Sequence, residues 1–135
     1  MTEHWTTEQA RRYFKTGERP EDRTLTPLEI QQPTASDIKA ERDLQRLCEL
    51  ELHRRGIEYL HLSPRAREKT GWPDITFALR REPIAVELKS ERGRLRDEQV
   101  TMLKRMKANG WRVYVLRDMA VFVDLLNGEP IAEWS

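Results

Sequence analysis

Cysteine is almost absent: Cys48 is the only one among 135 residues. That excludes an intramolecular disulfide and a cysteine-built zinc cage. Its place among helical leucines suits a small core residue. Histidine offers no substitute cage, because His53 and His61 do not share a metal-ligand spacing. The N-terminal MTEHWTTEQARRYF lacks the apolar segment of a signal peptide, and no run approaches the length of a membrane span. A P-loop, a nucleophile elbow and a Cys/His catalytic pairing are also missing. These absences predict a soluble, cytoplasmic protein with no membrane partner. An excess of charge is missing too: the net charge is +1, so the total carries no nucleic-acid signal.

The distribution of charge does carry one. From Arg65 to Lys107 there are twelve basic and seven acidic residues, a balance of +5, against −4 for the remainder. The length fits one domain with a real core. Residues 1 to 35 read as an N-terminal arm, with a short helix at about 7–15 after the capping pair Thr6 and Gln9, then a proline-bearing linker. Trp5, Tyr13 and Phe14 could pin this arm to the domain or to a second subunit; a loosely attached extension is the other reading.

The domain is expected over 36–135. Ser36 is an N-cap candidate for a helix from Asp37 to Arg55, stopped by Gly56, with Ala40, Leu44, Leu47 and Cys48 on one apolar face. Glu41 lies at the border of that face, where it is either half turned toward the core or a surface glutamate paired with an arginine. IEYLHL (57–62) alternates as a strand and SPRAREKTG (63–71) reads as a loop. ITFAL (75–79) and IAVELK (84–89) form a hairpin across RREP (80–83). A tight turn pairing Arg80 with Pro83 sets Asp74 opposite Lys89 and Thr76 opposite Glu87. Alternation then gathers Asp74, Glu87 and Lys89 on one face, with Ile84, Val86 and Leu88 on the other. Asp97–Asn109 reads as a helix with Val100, Leu103 and Met106 inward, followed by the strand WRVYVL (111–116), so the last two strands should be parallel. Asp118 could cap a final helix through Asn127, although Val121 and Val123 also permit a strand. The tail packs through Ile131 and Trp134 or is loose. The fold class is therefore α/β, a mixed sheet made of a hairpin and a βαβ unit, flanked by helices.

Two carboxylates and a lysine aimed at one point suit a divalent cation handling a phosphate. Magnesium prefers oxygen ligands and keeps several waters, so two acids plus a backbone carbonyl suffice. Lys89 could neutralise the phosphate or orient the attacking water. Arg65, Arg67 and Lys69 before the first acid, and Arg92, Arg94 and Arg96 after the lysine, suit contacts to the nucleic-acid backbone. On the residues alone the alternative is an ion cluster on an ordinary α/β domain.

Gly71-Trp72-Pro73-Asp74, then Glu87-Leu88-Lys89, then Gly93, Leu95 and Gln99 resemble the PD-(D/E)xK nuclease superfamily, and within it the VRR-NUC branch. The similarity covers about residues 37 to 118 and leaves the N-terminal arm unmatched. It implies a restriction-endonuclease-like core with Asp74 and Glu87 as principal metal ligands and the Leu88 carbonyl completing the set. Glu41 would be a further ligand, Lys89 the catalytic lysine, and Gln99 a residue orienting the site or contacting substrate. Gln99 as an exposed residue in the first turn of its helix is the other reading. The resemblance further implies a Mg2+- or Mn2+-dependent DNA endonuclease, selective for structures such as Holliday junctions or flaps. Stand-alone members resemble phage and bacterial enzymes that work as homodimers in DNA repair and recombination. The competing class is a non-catalytic nucleic-acid-binding module that keeps the nuclease fold.

Overall fold

The structure, a computed structural model, describes residues 35–135; the helix expected at 7–15 and the linker after it lie outside the described residues. Helix α1 (Ala35–Arg54) runs without glycine or proline. It closes at Gly56, whose φ of 71° lets Ile57 N–H reach back to the Leu52 carbonyl at 2.9 Å. Ser36 lies in its first turn and does not cap it. The buried stripe is Leu44, Cys48 and Leu52. Ala40 and Leu47, expected inward, are exposed. The stripe continues toward Leu52 and leaves Leu47 on the far side of the helix, 47 % accessible.

Strand β1 is only Tyr59–Leu60, shorter than the alternation of 57–62 suggested. Residues 63–71, expected as a loop, contain helix α2 (Pro64–Thr70). Three local signals build it. Ser63 Oγ accepts the Ala66 N–H, Pro64 occupies the first turn where no donor is needed, and Gly71 terminates the helix at φ 74°. Seven residues are too few for an apolar period, and the helix buries none of its residues.

Strands β2 (Ile75–Leu79) and β3 (Glu82–Leu88) form the hairpin. Its turn is Arg80-Arg81 alone, both left-handed at φ 50° and 68°, the conformation that matches the twist of a two-residue hairpin loop. Leu79 therefore pairs with Glu82 and Ile75 with Val86. The expected register was wrong by two residues. Asp74 comes level with Glu87, one step beyond the Ile75–Val86 pair, and Thr76 pairs with Ala85. A slip of two preserves every facing, because side chains alternate with period two.

Helix α3 (Asp97–Ala108) crosses to β4 (Arg112–Leu116), which pairs in parallel with β3 from Ile84↔Arg112 to Leu88↔Leu116. Helix α4 (Met119–Leu126) follows, with Asp118 Oδ1 accepting the Val121 N–H at 2.9 Å. The sheet order is β1-β2-β3-β4. The tail packs: Trp134 N–H donates to the Val113 carbonyl at 2.8 Å, along the outer edge of β4.

Both faces of the sheet are covered. Ile75, Phe77, Ile84, Val86 and Leu88 pack with Leu44, Cys48 and Leu52 of α1 and Phe122, Leu125 and Leu126 of α4. Each such large side chain, fully buried, contributes about 1.5–3 kcal/mol. Burial also pushes the Cys48 thiol up to about 12, which keeps it protonated. The other face is smaller: Ala85 and Val113 meet Leu103 and Met106 of α3, fringed by Trp72, Trp111 and Trp134. Asp74, Glu87 and Lys89 continue this second face beyond the end of its apolar patch. The architecture is the mixed α/β fold expected: among the described residues, a four-stranded mixed sheet is flanked by four helices.

Candidate functional site

The open end of the hairpin brings the three residues together in a buried setting. Asp74, Glu87 and Lys89 are 6 %, 2 % and 7 % accessible. Asp74 Oδ2 accepts the Leu88 N–H at 2.7 Å, so the first acid clasps the strand that carries the second. In an extended strand a residue's N–H and C=O leave along the same edge, and the Leu88 carbonyl thus also faces Asp74. Lys89 N–H donates to the Leu116 carbonyl at 3.0 Å, which holds β3 against β4 one residue past the strand. Lys89 Nζ lies 3.7 Å from Glu87 Oε1.

Glu87 is the electrostatic centre. Burial raises its carboxyl from the usual carboxylate range to about 7. The positive charges of Lys89, Arg67 and Arg96 oppose the shift, and Glu41 adds to it. Oε1 accepts from Gln99 Nε2 at 3.0 Å, whereas Oε2 is buried with no hydrogen-bond partner. Gln99 is held in turn: its Oε1 accepts the Arg96 N–H at 2.8 Å, tying the side chain back to the start of α3. Gln99 is therefore buried beside the acids and is not an exposed first-turn residue.

Glu41 reaches the same neighbourhood from α1. Its Oε1 accepts the Ser90 N–H at 3.2 Å, and Ser90 Oγ donates to Asp37 at 2.9 Å. The turn after Lys89 is thereby tied to α1 by two acids. Gly93 closes that turn without room for a side chain, since a Cβ would come within 2.7 Å of Glu41 Oε1 and 3.1 Å of Ser90 Oγ. Gly71 is constrained in the same way: a Cβ would run into the Glu98 carbonyl at the head of α3.

The basic residues divide. Arg67 ion-pairs with Asp74 Oδ1 inside the site, and its Nε is buried without a partner. Arg65, Lys69, Arg92, Arg94 and Arg96 are exposed around it. Three contributors were not read from the sequence. Arg117 donates from Nη1 to the carbonyls of Ser90 (2.6 Å) and Gly93 (2.8 Å), fastening the turn from the β4 side. Burial, with help from nearby Arg94, lowers its pKa. The parallel register that sets Leu116 beside Leu88 was the available signal for it. His61 Nδ1 lies 3.1 Å from the Asp74 carbonyl and 2.6 Å from Gln45 Nε2, which ties the ring to the backbone of the first acid. Burial lowers the pKa of His61, keeping it neutral. Nothing in the spacing of Gln45 and His61 announced that contact.

The chemistry of this set can be judged against a divalent cation. Among the described residues, no three or more His, Cys, Asp or Glu side chains gather as a metal cage. Two carboxylates do stand level on neighbouring strands, with the Leu88 carbonyl on the edge that Asp74 occupies, and one buried carboxylate oxygen has no partner. Such an oxygen is costly unless a cation or donor meets it. The donors are all oxygen, which is the preference of magnesium and manganese. The residues fit the group.

The sequence model of the VRR-NUC domain matches residues 16–120. The chain belongs to the VRR-NUC family. The match starts before the motifs do and takes in part of the arm that the motif likeness left out. Comparison with curated proteins gives no match, and comparison with solved structures gives none. Family membership indicates a nuclease-type function and with it DNA binding. No helix among the described residues is long and apolar enough to cross a membrane.

Proposed function

We propose that this VRR-NUC chain is a Mg2+- or Mn2+-dependent endodeoxyribonuclease that hydrolyses phosphodiester bonds, selecting branched DNA such as junctions or flaps. The observation that carries the reading is Glu87: a carboxylate buried opposite Asp74, with one oxygen unpartnered and its charge disfavoured by burial. A fold stabilised by apolar contacts has no use for such a group unless a cation meets it. Asp74, Glu87 and the Leu88 carbonyl are the proposed ligands, with Glu41 behind them acting through water. Bound there, the metal supplies charge neutralisation on the phosphate and help to the attacking water.

The chain's own residues do the rest. Lys89 stabilises negative charge developing on the phosphate, at a position where its burial makes that charge effective. Gln99 holds Glu87 in orientation from α3. Arg65, Lys69, Arg92, Arg94 and Arg96 grip the backbone on either side of the acids. A domain of this size offers little surface for a branched substrate, so we place two copies on one DNA, each cutting one strand. Leu47 and Leu50 of α1 and Leu60 of β1, all exposed, are available apolar surface for that pairing. We expect the enzyme to work inside the cell, in repair or recombination.

Labelled linear, flap and four-way-junction DNA, incubated with Mg2+, Mn2+ or EDTA, tests the proposal. Cleavage should require metal and fall at least ~100-fold in both Asp74→Asn and Lys89→Ala. Binding without cutting in either metal would instead identify a binding module that keeps the fold. A monomer at micromolar concentration by sedimentation, with or without DNA, would remove the paired-copy part.

A further inference from the structure

The two oxygens of Asp74 have different obligations. Oδ2 is committed to the Leu88 N–H at 2.7 Å, a buried bond that joins the two hairpin strands. Oδ1 is the one that can turn to a cation, and Arg67 holds it. A carboxylate oxygen strongly paired with a guanidinium is a poorer metal ligand, because each cation raises the electrostatic cost of the other. Any divalent ion taken up at Asp74 therefore competes with Arg67 for the same atom.

Arg67 is suited to leave. It sits on α2, a seven-residue helix none of whose residues is fully buried, so the element that carries it has little anchorage in the core. Its guanidinium is also incompletely used, with Nε buried and unpartnered while Nη1 meets Asp74. A planar guanidinium presents Nε and Nη side by side, a fork that matches two oxygens of one phosphate. We propose that Arg67 is an exchange residue: it neutralises Asp74 until a divalent cation takes Oδ1, then carries its guanidinium to nonbridging oxygens of the phosphate to be cut. This rests on the nuclease reading and deepens it by coupling metal uptake to phosphate recognition. The metal, Arg67 and Lys89 then share the site with the phosphate, where before Arg67 served Asp74 and Lys89 faced Glu87.

The test is calorimetric titration of EDTA-stripped protein with Mn2+, comparing wild type with Arg67→Ala and Arg67→Gln, the latter keeping a hydrogen-bonding group of similar reach. Both variants should bind Mn2+ about tenfold more tightly, the equivalent of 1.4 kcal/mol. Their melting temperatures should rise more on Mn2+ addition than that of wild type. Cleavage at saturating Mn2+ should fall at least tenfold in both. A purely structural arginine would lower stability with or without metal and leave Mn2+ affinity unchanged or weaker. That result, in a wild type that binds Mn2+ and cuts DNA, overturns the exchange and leaves the nuclease standing. Tighter Mn2+ binding with undiminished cleavage overturns the phosphate half of the inference. A wild type that takes up no Mn2+ overturns both readings together.

Discussion

Glu82 and Glu87 are the same side chain on the same strand, one at each end of the hairpin, and the structure treats them oppositely. Glu82, beside the turn, has a side chain 49 % accessible and meets Arg112 at 2.6 Å. Glu87, at the open end, is 2 % accessible, has one oxygen without a partner, and titrates near 7. At the turn end, charge is carried where water screens it and little depends on it. At the open end, charge is withdrawn from water and only partly compensated. Stability alone does not explain the second arrangement, because a buried, half-satisfied acid lowers it. The difference separates the two ends of a single supersecondary unit and puts the proposed function at the open one.

The largest expected effect on the folded protein comes from removing the buried acid. In EDTA, Glu87→Gln should stabilise the protein at pH 8 by on the order of 2–3 kcal/mol, read from denaturant midpoints. The sign follows from the raised pKa. The folded state holds a proton on Glu87 up to about pH 7, whereas an unfolded chain releases it near 4.5. Wild-type stability from this group is therefore complete below about 4.5 and is lost as pH rises through 7. The advantage of the variant should vanish by pH 4.5, while its metal-dependent cleavage is absent throughout. A variant less stable than wild type at pH 8 would show that Glu87 is a structural acid and dissolve the contrast between the two ends.

A smaller effect is expected at the turn that follows Lys89. Gly93→Ala puts a methyl group against Glu41 Oε1 and Ser90 Oγ. Glu41 is the flexible end of a side chain, but its bond to Ser90 N–H resists displacement. We expect a loss of about 1–2 kcal/mol and a drop in cleavage. In a Glu41→Ala background the same change should be nearly neutral for stability, and a full cost there would sever the proposed link between α1 and the turn.

The contrast between the two ends also governs what could be read in advance. The gathering of Asp74, Glu87 and Lys89 was legible because alternation with period two is robust to the error that was made. A register wrong by two residues left each of them on its face. The register itself was hidden, since two left-handed arginines give none of the asparagine or glycine signals that mark such turns. Helix α2 was missed for want of length, although Ser63, Pro64 and Gly71 were its markers. The covalent neighbours of the site, Arg67 among them as a phosphate contact, were thus accessible to inspection, while the pairing of Arg67 with Asp74 and the parts of Arg117 and His61 arise through packing across 7 to 27 positions of sequence. Contacts of that kind have no local pattern from which they could be recognised.

At the turn, Arg81→Gly relieves a left-handed conformation that costs an L-residue about 1–2 kcal/mol. Glycine's extra unfolded-state freedom offsets about 0.5–1 kcal/mol of that. A net gain of about 0.5 kcal/mol with unchanged cleavage is expected, because Arg81 is exposed and distant from the acids.

Glu82→Gln should do least. Its ion pair with Arg112 joins two side chains each about half exposed, and such pairs contribute roughly 0–1 kcal/mol at moderate salt. Arg112 retains Glu133 at 3.9 Å as a second acid, which softens the loss further. The expected change in stability is below about 0.5 kcal/mol, shrinking as salt is raised. Its sign is the informative part: removing the negative charge at residue 82 should slightly destabilise at neutral pH, whereas removing it at residue 87 should stabilise. If the two substitutions moved melting temperature in the same direction, burial would not be what separates them, and the case for Glu87 as a waiting cation ligand would lose its physical footing.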